Sequence, residues 1–149
     1  MRTLVWHGLD LPRMEIAHVE SLERATGTQI GGRYELRWRL EGERLDLELV
    51  GQERATLELG DADYFDVAFS PFFNSLPVVH DGLLERGPAR DYVMRFVSVP
   101  ELTSSSSEQR YEPLGDGIVR YSSGAFAADI EFDADGFVVH YHGLCKRVD

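Results

Sequence analysis

Apolar and polar residues alternate with period two along most of this chain, which commits it to extended strands with one dry face and one wet face. Tyr34, Leu36, Trp38 and Leu40 alternate with Glu35, Arg37 and Arg39, and Leu45, Leu47 and Leu49 alternate with Asp46 and Glu48. Ala55, Leu57 and Leu59 repeat the pattern, with turns at Glu41-Gly42-Glu43 and Gly51-Gln52, so the three segments read as a meander. Further along, Tyr92, Met94 and Phe96 form one face, as do Phe126, Ala128, Ile130 and Phe132. Asp133-Ala134-Asp135-Gly136 is a hairpin loop leading into Phe137, Val139 and Tyr141. With segments near Thr3 to Gly8, Arg13 to Glu20, Gln109 to Leu114 and Ile118 to Ser122, the count reaches about ten or eleven strands.

That number of strands has a geometric consequence. About eight strands close into a barrel that side chains fill, so a longer sheet must flatten, split into a sandwich or enclose a larger cavity. The 149 residues suffice for one domain spanning 1–149 and are too few for two packed cores. No strong helix is present to cover a face. A strongly curved or partly closed barrel around an apolar hollow is the expected fold, with a filled antiparallel sandwich as the alternative.

One segment breaks the alternation. Asp66 to Pro77 reads DVAFSPFFNSLP and holds the only asparagine of the chain. Pro71 and Pro77 have no N–H for a sheet ladder, and Ser70-Pro71 has the order of a helix N-cap and first helical position, so a single helical turn is expected over 71–75. Phe72 and Phe73 then need a burial place, and the open sheet supplies one. Val78 to Arg90 is compatible with a strand or a short helix, and Thr103 to Glu108, TSSSSE, reads as a polar loop between strands.

The formal net charge is −11, which opposes nucleic acid or an anionic membrane surface as the main partner. The single cysteine, Cys145, excludes an internal disulfide and fits a reducing compartment. The start MRTLVWHGLD has no apolar export signal, and no later segment reaches membrane-spanning length, so a cytoplasmic protein is expected.

Signals for catalysis or metal binding are weak singly. His140 and His142 lie two apart on a strand and share a face, a spacing that can serve a metal, yet no third ligand is legible and ordinary polar-face histidines are the simpler reading. Asp61-x-Asp63 and Asp133-x-Asp135-Gly136 lack the remaining ligands of a calcium loop. Cys145 has no legible activating partner, Ser70 and Ser75 have no nucleophile elbow, and Gly31-Gly32 precedes a strand rather than a helix. No metal or cofactor is therefore expected. Glu15 lies in a strand whose faces, Met14-Ile16-His18 and Arg13-Glu15-Ala17-Val19, are both mixed. Inward and paired with Arg37 or Arg120 it would fix a polar head group, whereas the periodicity slightly favours an outward, solvated Glu15.

The series Trp6-x-Gly8-x-Asp10-x-Pro12-x-x-Glu15, Gly31, Asp66, Ser70-Pro71-Phe72-x-Asn74-x-Leu76-Pro77, Val99-Pro100, Gln109-x-Tyr111, Arg120-Tyr121 and Asp133-x-Asp135-Gly136-x-Val138-x-x-Tyr141 resembles the putative glycolipid-binding family, a former domain of unknown function. The resemblance covers nearly the whole chain in order, and its most specific part is NSLP after Pro-Phe. It implies a long antiparallel sheet curled into an incomplete barrel around an apolar cavity, with one or two short helical segments as plug, similar to lipoprotein carriers. Two departures stand out. The section before Asp66 is shorter than in the family, and Val78-Val79-His80 replaces a basic pair, leaving His80 as a partial, pH-dependent substitute for an anionic head-group contact.

The resemblance and the residues together favour a noncatalytic carrier or sensor of a lipid or other amphipathic small molecule. Its apolar part is expected against Trp6, Trp38 and Phe72, and its head group near Glu15, Asn74, Gln109, Tyr111, Arg120 and Tyr121. Each of these also has a purely structural reading. A small enzyme using Glu15 or a histidine as acid or base is one alternative, and a module that pairs through an open strand edge is another. The oligomeric state is not legible.

Overall fold

Thirteen strands and one short helical segment account for the alternation and its interruption. A computed structural model describes the whole chain, Met1–Asp149. The order is β1 (Arg2–Gly8), β2 (Met14–Ser21), β3 (Arg24–Ile30), β4 (Glu35–Glu41), β5 (Arg44–Leu49), β6 (Arg54–Glu58) and β7 (Tyr64–Val67). A 3-10 turn, Pro71–Asn74, and the helix α1, Ser75–His80, follow. The chain then forms β8 (Arg90–Val97), β9 (Ser104–Gly115), β10 (Ile118–Ser123), β11 (Phe126–Phe132), β12 (Val138–Tyr141) and β13 (Cys145–Arg147). No helix is long and apolar enough to cross a membrane.

All strands belong to one sheet ordered β6-β5-β4-β3-β2-β1-β13-β12-β11-β10-β9-β8-β7. Neighbours are antiparallel except β7 and β8, whose parallel pairing requires the crossover that carries the helical segment. The expected meander is present at β4 to β6, in register through Trp38↔Leu47 and Leu47↔Ala55. The last strand docks on the first, Trp6↔Arg147, and so joins the two halves of the chain. The end strands β6 and β7 do not pair, so the sheet is open. The partly closed barrel expected from strand number is corrected to an open sheet, because the dry face is covered by the crossover segment rather than by ladder closure.

The alternation sorts side chains as expected where it is strict. In β4, Leu36, Trp38 and Leu40 are buried between outward Glu35, Arg37 and Arg39, and β5 buries Leu45, Leu47 and Leu49. Three strands were not legible. β3 contains Thr-Gly-Thr-Gln, β7 has four residues, and β13 has three, so none offers enough apolar positions to register as a period. The serine run is also not a loop: Ser104–Ser107 pair with Val97–Met94 and form the first part of β9, since β8 supplies a ladder that serines can join.

The helical segment is longer than the expected turn, running from Pro71 to His80, and Pro77 falls in the first turn of α1, where its missing N–H has no intrahelical partner to lose. Ser70 makes no side-chain cap; its hydroxyl donates instead to Glu15 of β2. The segment reaches strands far apart in the sheet order. Phe72 stacks on Trp38 of β4 at 5.1 Å between ring centroids, Phe73 meets the same indole edge-on at 4.9 Å, and Asn74 Nδ2 donates to the Tyr111 hydroxyl of β9. Aromatic pairs of this kind are each worth about 0.5–1.5 kcal/mol beyond the area they bury.

Trp38 reaches the two phenylalanines by lying across Gly27, its cross-strand partner in β3. A Cβ at Gly27 would overlap the indole ring. Gly27→Val is therefore expected to dislodge Trp38 from the aromatic stack and to destabilise the protein by ~1–3 kcal/mol despite the higher strand propensity of valine. Urea denaturation followed by tryptophan fluorescence measures this, and a variant as stable as the parent would refute the packing role assigned to Gly27.

Candidate functional site

Where β7 runs into the crossover, the dry face is not completely filled. A cavity of roughly 450 Å³ lies beside Asp66, Val67, Ala68, Phe69, Ser70 and Asn74, bounded opposite by Phe96, Tyr121, Phe126 and Tyr141 and at its rim by Asp10 and His142-Gly143-Leu144. Its wall is mainly apolar, with a few polar groups. The hollow among His18, Arg24, Arg39 and Glu41 is instead lined mainly by polar and charged side chains.

The apolar wall continues a tyrosine ladder. Tyr92, Tyr111 and Tyr121 stand on the adjacent strands β8, β9 and β10 and meet edge-to-face at 5.5 Å per step. Tyr121 then approaches Phe126 at 6.1 Å and Tyr141 at 6.2 Å. Burial raises the phenol pKa of Tyr111, Tyr121 and Tyr141, with nearby Asp66 acting in the same direction, so these hydroxyls stay protonated and can donate. Phe126 is 53% exposed, which leaves an apolar ring at the mouth.

Phe69 stands at the same mouth with φ of 65°, a left-handed conformation uncommon for a bulky residue. Two contacts hold this part of the chain in place. The Arg13 guanidinium lies 3.8 Å from the Phe69 ring centroid, and the Ala68 carbonyl accepts a hydrogen bond from Gln29 Nε2 at 3.0 Å.

Two acids lie under this wall. Asp66 is half-buried and accepts a hydrogen bond from Gln109 Nε2 at 2.8 Å; burial pushes its pKa up to about 6, against the lowering effect of that bond. The Gln109 Oε1 atom is buried without a hydrogen-bond partner. Glu15 is fully buried, which corrects the outward orientation favoured by periodicity: on β2 it shares the inward face with Ala17 and Val19. It accepts hydrogen bonds from Ser70 Oγ at 2.7 Å and Trp38 Nε1 at 3.4 Å. Desolvation pushes its pKa up to about 7, opposed by hydrogen bonds from Ser70, Trp38, Gln29 and the Phe72 backbone.

No arginine balances Glu15. Arg37 is outward and bonds Glu35, and Arg120 is outward and bonds Asp129 at 2.9 Å, so neither expected pair forms. Of the residues singled out in the sequence, Asn74 and Tyr121 line the cavity, and Gln109 and Tyr111 contact groups that do. Trp6, Trp38 and Phe72 are core: Trp6 Nε1 donates to the Val138 carbonyl at 2.8 Å, and the other two stack together. Arg120 faces away from Tyr121 and from the cavity. His80 stacks on Tyr64 and lies 3.6 Å from Glu23, away from the cavity wall.

Several members of the site were missed from the sequence. Asp66, Phe69, Phe126 and Tyr141 come together only through strand order, although Asp66 had a signal: it opens the segment that breaks the alternation. Cys145 is buried, and desolvation pushes its thiol pKa up to about 12, so it carries no nucleophilic thiolate at neutral pH.

The raised pKa of Glu15 makes the fold sensitive to pH. Between its ordinary value of 4.5 and about 7, the folded chain retains a proton that the unfolded chain has released. This contribution to stability is whole below about 4.5 and is lost as pH rises through about 7. Glu15→Gln keeps an acceptor for Ser70 and removes the titration. Urea midpoints measured from pH 5 to pH 8 should fall for the parent relative to the variant, by up to ~3 kcal/mol in unfolding free energy. Parallel pH profiles would show that Glu15 does not titrate in this window.

Residues 35–147 match the family described as "Putative glycolipid-binding". A crystal structure of a DUF1089 family protein from Pseudomonas aeruginosa, PA1994, has the same fold: the two superimpose with a TM-score of 0.76 at 22% sequence identity, over 91% of this chain and 92% of that one. No curated protein gives a significant match. With the match spanning most of the chain, including the β4–β6 meander, the crossover segment and the C-terminal strands, the protein belongs to the putative glycolipid-binding family.

Proposed function

We propose that this protein is a noncatalytic binding or carrier protein for a lipid or other amphipathic small molecule. The observation that carries the reading is the cavity itself: an apolar hollow with aromatic rings at its mouth and a small set of polar atoms converging on its wall. Its size of roughly 450 Å³ falls within the ~300–1,000 Å³ usual for small-molecule sites. The open sheet packs on its plug from both halves, since β4 and β9 both send side chains to the crossover segment.

In this reading the apolar part of the ligand rests among Val67, Ala68, Phe96, Tyr121 and Phe126. The polar part meets Asp66, Asn74 and the hydroxyls of Tyr121 and Tyr141. No arginine or lysine side chain lines the cavity, whereas Asp10 and Asp66 do, so a hydroxylated neutral head group fits better than a phosphate. Ligand hydroxyls can donate to these carboxylates and accept from Asn74. The chemistry agrees with the description of the family.

Binding also suits these groups better than catalysis. Glu15 is sealed beneath Ser70 rather than open to the cavity, and the Ser70 hydroxyl donates to Glu15 rather than to a histidine. Proton transfer to a ligand would have to pass through Ser70 Oγ.

Organic extraction of the purified protein, followed by mass spectrometry, should recover a neutral amphipathic lipid. A fluorescent acyl probe such as cis-parinaric acid should bind to the emptied protein. Ala68→Trp fills the hollow at a half-exposed position and should weaken probe binding by about tenfold or more, equivalent to ~1.4 kcal/mol or more. Failure of both the extraction and the probe would overturn the reading, as would probe binding unchanged by Ala68→Trp.

A further inference from the structure

His140, His142 and Glu131 come together on the wet face of the sheet, opposite the core. The pairing of β11 with β12 sets Glu131 directly across from His140, and His142 continues the same face one pair further on, where its N–H donates to the Asp129 carbonyl. The two imidazole rings stack with centroids 4.1 Å apart. One ligand atom from each of the three side chains lies within 4.8 Å of the others.

The spacing matches a coordination polyhedron. Zinc–nitrogen and zinc–oxygen bonds are about 2.0–2.2 Å, so two donors on a tetrahedral ion stand roughly 3.3 Å apart. Glu131 Oε2 is 3.2 Å from His140 Nδ1 and 3.6 Å from His142 Nε2. Small rotations about the side-chain torsions bring all three donors onto one centre.

Glu131 also differs from its neighbours in what holds it. Asp129 is bound by Arg120 in a two-bond fork, and Asp133 by Arg2 and Arg147. Glu131 has no arginine and faces only the two histidines. Lys146 of β13, the only lysine of the chain, is the cross-strand partner of His140, on a flexible stem that can turn its charge to solvent.

We propose that Glu131, His140 and His142 form a binding site for a borderline-soft divalent transition metal of the zinc class. Two imidazoles and one carboxylate select such an ion over magnesium or calcium, which prefer all-oxygen shells. Three protein donors leave a fourth position for water or an exogenous oxygen ligand. The site does not depend on what the cavity binds.

Isothermal titration of the untagged, full-length protein with zinc chloride tests this. One ion per chain is expected with micromolar affinity, and magnesium chloride should give no heat of binding. His142→Ala and Glu131→Gln should each weaken zinc by about tenfold or more, while His18→Ala, on a different part of the wet face, should leave it unchanged. Both key positions are outward-facing, and circular dichroism of the variants should match the parent. Absence of zinc binding by the parent would overturn the proposal. So would stoichiometric binding that survives His142→Ala, or magnesium binding of similar strength.

Discussion

A sheet of thirteen strands has one dry face, and this chain has a single ten-residue insert with which to cover its centre. That constraint organises the molecule. Phe72 and Phe73 are buried on Trp38, Asn74 reaches Tyr111, and Ser70 reaches Glu15, so one short segment links strands that never pair with one another. The aromatic stack fills this centre, and the polar contacts set the position of the segment along the sheet. Gly27 belongs to the same arrangement, because only an absent side chain lets the Trp38 indole lie flat enough to meet both phenylalanines.

The cavity follows from how that segment begins. Between the end of β7 and Pro71, the backbone turns through the left-handed conformation of Phe69 and leaves Ala68 and Ser70 as small residues facing a wall of large tyrosines. Small opposite large leaves space. The acids there are raised in pKa because burial costs a carboxylate more than its hydrogen bonds recover. In the proposed binding role this balance suits ligand hydroxyls better than an anion, since no lysine or arginine lines the hollow.

Much of the sheet was legible because burial on one face imposes strict alternation on strands such as β4 and β5. The crossover was legible for the opposite reason, as two prolines and two adjacent phenylalanines cannot enter a ladder. What failed was local in cause. Arg24–Ile30 and Cys145–Arg147 carry too few apolar residues to announce strands, and the serine run joins β9 only because β8 offers it a partner. Glu15 was misjudged because a carboxylate on a strand reads as outward unless its donors are known, and they come from Ser70 and Trp38, both distant in sequence. The histidine pair was visible, but its carboxylate partner was not, since Glu131 lies nine residues away on another strand.

The amino-acid sequence alone determined a mainly β chain with an aromatic, proline-bounded plug and a resemblance to one family. Those properties rest on periodicity, backbone chemistry and residue order, which are local. Only the tertiary structure decided that the sheet stays open, which acids are buried, where the hollow lies and which side chains share a face. These depend on strand order and register: pairing β1 with β13 joins the halves, and pairing β11 with β12 brings Glu131 to the histidines. Strand register is a long-range property, because each pairing is chosen by the burial of the whole dry face rather than by the residues of any one strand.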